Sequence, residues 1–136
     1  MDPIVSYKAF EINKSYTDVI YDSSIWISGL KYLNKELLFL KTLLNSNSFK
    51  STTPYLFERH QVFLKDIDRL RENSNTFKEK IEAYKFKVTE TLNSDVFSFS
   101  EEYFETYESL VKEIFEFNQK YKSFKTQLYE FLIEII

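Results

Sequence analysis

The chain has 136 residues, with no cysteine, one glycine, two prolines and a formal charge of −3. The missing cysteine excludes disulfides, thiolate nucleophiles and Cys-ligated zinc, while 43% hydrophobic and 29% charged residues fit neither a disordered polymer nor a membrane protein. So little glycine and proline leaves few residues for tight hairpin turns, which favours helices over sheets.

The first predicted element is a helix over about 3–45. Trp26, Leu30, Leu33, Leu37, Leu40 and Leu44 recur at alternating spacings of four and three, the seam of helices packed side by side. Counted backwards, the same register runs through Ser23, Val19, Tyr16, Ile12, Ala9 and Val5, with Asp2 as the cap. Tyr21-Asp22-Ser23-Ser24 is its weak point, because short polar side chains compete for the backbone. Between Ile25 and Leu44, 12 of 20 residues are apolar, more than one seam requires. Ile25, Gly29, Tyr32, Glu36, Phe39 and Leu43 make a second seam of the same period, with Gly29 permitting close helix approach. Two uses compete for it. It meets a third helix inside the molecule, or part of it stays open with Ile133 and Ile136 and buries itself in a partner.

The second helix spans about 54–94. Thr53 caps it, Pro54 suits its first turn, and Asn93-Ser94-Asp95 stops it. Its seam is Leu56, His60, Phe63, Ile67, Leu70, Ser74, Phe77, Ile81, Tyr84 and Val88. A first turn centred near Lys50 sets residue i of the first helix opposite about 100 − i. In that register residues 1–21 are needed to cover Phe77–Val88.

The third helix spans about 100–136, with Ser100 as its cap and Glu101 and Glu102 favoured by the helix dipole. Its seam runs Tyr107, Leu110, Ile114, Phe117, Tyr121, Phe124, Leu128, Phe131 and Ile135, and Val111, Phe115, Tyr129, Leu132 and Ile136 widen it toward a second neighbour. A turn centred near Phe97 sets residue i opposite about 194 − i, which brings Lys78, Lys80, Lys85 and Lys87 to Glu116, Glu113, Glu108 and Glu105. Such flanks set register rather than stability. The expected fold is therefore all-α: residues 1–136 as one antiparallel, up-down-up bundle of three long helices.

Chemistry is thinly represented. No glycine-rich phosphate loop or Glu-x-x-His pair occurs, and there is one histidine. His60 sits in the seam, and the 100 − i register puts it about one turn from Glu36, so a hydrogen-bonded polar pair of Glu36 and His60 is expected. A metal or acid/base site of Glu36, His60 and Glu134 is the alternative. Residues 1–53 carry 6 basic and 5 acidic side chains, 54–98 carry 8 and 8, and 99–136 carry 4 and 8, so no basic stripe for nucleic acid stands out. No apolar stretch approaches the ~20 residues that span a bilayer.

Tyr21-Asp22-Ser23-Ser24-Ile25-Trp26, Leu30, Leu33, Glu36-Leu37 and Leu40, with Glu58-Arg59-His60-Gln61-Val62-Phe63, resemble short helical proteins of Bacteroidetes bacteria. The resemblance covers roughly residues 21–71 and rests on helix seams with a tryptophan. Those proteins often carry a histidine near position 23, where this chain has Ser23, which tells against a shared metal site. It implies a bacterial intracellular helical bundle and nothing sharper. The expected function is a non-enzymatic interaction or scaffold protein in the cytoplasm, without cofactor or metal. Its partner would be another protein or a second copy of the chain, rather than nucleic acid or membrane.

Overall fold

The computed structural model describes residues 15–46, 53–93 and 101–135. They form three helices, α1 Ser15–Leu44, α2 Pro54–Leu92 and α3 Glu101–Ile135, packed as an all-α three-helix bundle. The part of the first helix expected at 3–14, the cap Ser100 and the surface residue Ile136 lie outside the described residues.

Each helix forms where its local chemistry favours it. Thr53, in extended conformation, receives the Leu56 amide on its hydroxyl at 3.4 Å, and Pro54 opens α2. Asn93 closes that helix in a right-handed conformation, its amide returning to the Thr89 carbonyl at 3.1 Å. The weak point of α1 holds. Ser23 and Ser24 turn their hydroxyls back onto the Val19 and Ile20 carbonyls at 2.7 and 3.0 Å, so they join the helix instead of breaking it.

The buried positions are those of the seams. Leu33, Leu37, Leu40 and Leu44 of α1 cluster with Phe63, Ile67 and Leu70 of α2 and with Tyr121, Phe124, Leu128 and Phe131 of α3. A second cluster joins Tyr16, Val19, Ile27 and Leu30 to Phe77, Ile81, Tyr84 and Val88 and to Leu110 and Ile114. Fully burying each such side chain contributes roughly 1.5–3 kcal/mol. The backbones of α1 and α2 run closest together. Large rings span the gap to α3: Phe63 lies 4.9 Å from Phe131 and 6.0 Å from Phe124 between centroids, and Phe77 meets Phe117 edge-on at 6.1 Å.

Register differs between the two hairpins. Phe63 with Phe131, Phe77 with Phe117 and Lys80 with Glu113 all obey 194 − i along the length of α2 and α3. The first hairpin does not obey 100 − i. Asn34 bonds Asn75 at 2.7 Å and Lys41 bonds Asp68 at 2.9 Å, which sets residue i opposite about 109 − i. That slip is a little over one seven-residue repeat. The α2 seam from Phe77 to Val88 is consequently met by Tyr16, Val19, Ile27 and Leu30 of α1.

Candidate interaction surface

The slipped register separates the expected polar pair. His60 is buried at the end of α1, where its Nε2 donates to the Leu44 carbonyl at 2.6 Å. A carbonyl can only accept, so the proton resides on Nε2, and the Gln61 amide approaches Nδ1 at 3.5 Å. The last carbonyls of a helix have no partner within it. Lys41 and Leu43 carbonyls receive the Asn45 and Ser46 amides, and His60 from the neighbouring helix satisfies Leu44. The histidine is thus a cap supplied across the hairpin, and the expected Glu36–His60 bond is replaced. The trio proposed for a metal or acid/base site is likewise dispersed, because Glu134 pairs with Arg59 at 2.8 Å and Glu36 turns to α3. Among the described residues no group of three His, Cys, Asp or Glu side chains converges in a way that could hold a metal ion.

Glu36 lies in the groove between α1 and α3. It accepts the Tyr121 hydroxyl hydrogen bond and that of Lys125 Nζ at 3.0 Å, while Lys125 also sits 5.1 Å from the Tyr121 ring centre. Burial pushes the Glu36 carboxyl pKa up, but the Tyr121 and Lys125 bonds outweigh it, and the net shift is downward. The Tyr121 phenol is raised by burial first and by the Glu36 carboxylate next. Further along the groove the Tyr107 hydroxyl donates to Asp22 at 2.6 Å, and Tyr107 stacks on Trp26 at 5.7 Å. These contacts pair Glu36, Tyr121, Lys125, Tyr107 and Asp22 along the floor of the groove.

On either side of that floor the helices turn apolar side chains outward. At 3.6 residues per turn, Tyr21, Ile25, Tyr32 and Phe39 occupy one stripe beside Glu36 on α1. Val111, Phe115, Tyr129 and Ile133 do the same beside Lys125 on α3. Their exposures are 64, 50, 68 and 63% on α1 and 36, 63, 43 and 74% on α3. Among the described residues, eight of the thirteen exposed large apolar side chains lie on this one face. Of the two uses open to the second α1 seam, packing against α3 inside the molecule does not occur at Ile25, Tyr32 and Phe39, which are 50–68% exposed. Of that seam only Glu36 and the half-buried Leu43 turn inward. Gly29 is exposed, with no atom within 4 Å of where a Cβ would sit, so no close helix approach uses it among the described residues. Of the residues expected to widen the α3 seam, Leu132 is buried, whereas Val111, Phe115 and Tyr129 are not.

The other two faces are edged by polar bridges. Asn34–Asn75 and Lys41–Asp68 flank α1 and α2, and Lys80–Glu113 at 2.9 Å and Arg59–Glu134 flank α2 and α3. Lys78 pairs within its own helix, with Glu82 at 3.9 Å, rather than with Glu116. No helix among the described residues is long and apolar enough to cross a membrane. No known protein family, curated protein or solved structure matches this chain.

Proposed function

We propose that this chain is a non-enzymatic interaction protein whose partner surface is the α1/α3 face. The observation that carries this reading is the concentration there of eight exposed large apolar side chains, five of them aromatic, beside a groove in which Glu36 and Asp22 are already paired. Contiguous apolar patches beyond a few hundred Å² mark interaction sites on soluble proteins. Aromatic side chains are the usual anchors of such sites, because they supply large contact area for little lost rotamer freedom. Ile25, Tyr32, Phe39 and Ile133 were expected as partner-facing residues, and Tyr21, Val111, Phe115 and Tyr129 join them.

A photo-crosslinking amino acid placed in living cells tests the reading. From Phe115 or Tyr32 it is expected to give discrete protein adducts, and from Phe86, equally exposed at 66% but on α2, it is not. Adducts of equal yield from all three positions, or from none, would remove the α1/α3 face as the partner surface.

A further inference from the structure

The partner's identity is written in the charges of the face, and the inference rests on the reading just given. On α3, Glu108, Phe115 and Lys122 are spaced seven apart and so share one stripe. On α1, the bonds from Glu36 to Tyr121 and Lys125 place Lys35 level with Lys122. The bond from Asp22 to Tyr107 places Asp22, and Asp18 one turn before it, at the level of Glu108. With Lys125 paired to Glu36, the unpaired charge of one half of the face is basic, on Lys35 and Lys122, and that of the other half is acidic, on Glu108 with Asp18 and the Tyr107-bonded Asp22.

A face divided in this way about Phe115 is complementary to itself when turned end for end. We propose that the occupant is a second copy of this chain, docked antiparallel about a two-fold axis passing near Phe115. Phe115 then meets its own counterpart, Glu108 faces Lys122 of the partner subunit, and Lys35 comes to the level of Asp22 of the partner subunit. A parallel arrangement would set like charges together at both ends. An isologous contact of this kind closes as a dimer and leaves no open edge.

The available area is sufficient. Five rings exposed by 43–68%, at roughly 200 Å² each, together with Ile25 and Val111, offer about 700 Å² of apolar surface, close to the share each partner contributes to a stable interface. Gly29, beside the α1 stripe with open space around it, leaves room for close approach of the facing helix.

Sedimentation velocity of the full chain up to ~100 µM, where an interface of this size is populated, reads the outcome directly. The expected species has twice the 16.4 kDa chain mass. Phe115→Glu is expected to give a monomer with unchanged helical circular dichroism. Glu108→Lys or Lys122→Glu alone should weaken the dimer about tenfold, and the two together should restore it, because the swapped charges again face each other. A wild-type monomer at that concentration, a dimer indifferent to Phe115→Glu, or a double variant no better than the single ones would overturn the proposal. A wild-type monomer that still gives adducts from Phe115 in cells overturns self-association and leaves the interaction reading standing. A monomer without adducts overturns both.

Discussion

The α2/α3 face and the α1/α3 face rest on the same seam of α3 yet end differently at the surface. Along α2 and α3 the outer positions carry Lys80, Glu113, Arg59 and Glu134, which reach across to one another in pairs 34–55% exposed. Along α1 and α3 the groove is bridged by Glu36 and Lys125, but the positions beyond it carry Tyr32, Phe39, Phe115 and Ile133, each at least 63% exposed. Core packing requires neither choice, because both layers lie outside the buried seam. Charged side chains out there are solvated and contribute little beyond register. Apolar ones gain nothing from water, so their clustering on one face speaks for a surface that is covered in use.

Substitutions can break that distinction at graded cost. Phe131 is fully buried between Phe63 and the Arg59 guanidinium, and Phe131→Ala is expected to cost about 3–5 kcal/mol in chemical denaturation. Glu36→Gln, on the floor of the α1/α3 groove, removes two charge-assisted contacts from a carboxylate 22% exposed, and about 1–3 kcal/mol should be lost. Its sign with pH is fixed by the lowered carboxyl pKa. The Glu36 contribution is complete above the unfolded value of ~4.3 and disappears as pH falls through the lower folded value. Acid titrations of wild type and Glu36→Gln should therefore converge only as pH falls below the lowered folded value. Divergence there would contradict the assigned partners.

His60→Ala should cost about 1 kcal/mol by uncapping Leu44, with faster amide exchange confined to the last turn of α1. Smallest of all are the surface changes. Phe115→Ser, measured in dilute solution, and Lys80→Ala are each expected to shift stability by no more than ~1 kcal/mol. A loss at Phe115 as large as that at Phe131 would place this ring in the core and erase the difference between the faces.

Much of the fold was legible because helix signals are local. Thr53-Pro54, Asn93 and the alternating seams act within a few residues of themselves. The second hairpin register was legible too, from a turn centred near Phe97, and of the four lysine–glutamate pairs expected across it Lys80–Glu113 forms while Lys78 turns to Glu82. The first hairpin offered no such key. A slip of one heptad returns every seam residue to a seam position, so apolar periodicity cannot distinguish the alternatives. The pairs that do, Asn34–Asn75 and Lys41–Asp68, are exposed and one of them is uncharged. That ambiguity carried Glu36 to His60 in the sequence reading, when α2 overruns α1 and His60 caps Leu44 instead. The candidate surface was half visible. Tyr32 and Phe39 share a helical stripe with Glu36, and nothing in periodicity says that Glu36 alone turns inward to Tyr121 and Lys125.

Hydroxyl-radical footprinting reads the covering of the α1/α3 face residue by residue, comparing dilute purified chain with the same chain inside the cells that make it. Tyr32, Phe39, Phe115 and Tyr129 are expected to react freely in dilute solution and to be protected in cells, while Phe57 and Phe86 on α2, 54 and 66% exposed, react alike in both. Protection spread evenly over all six rings, or confined to Phe57 and Phe86, would contradict the assignment of the α1/α3 face as the surface this protein uses.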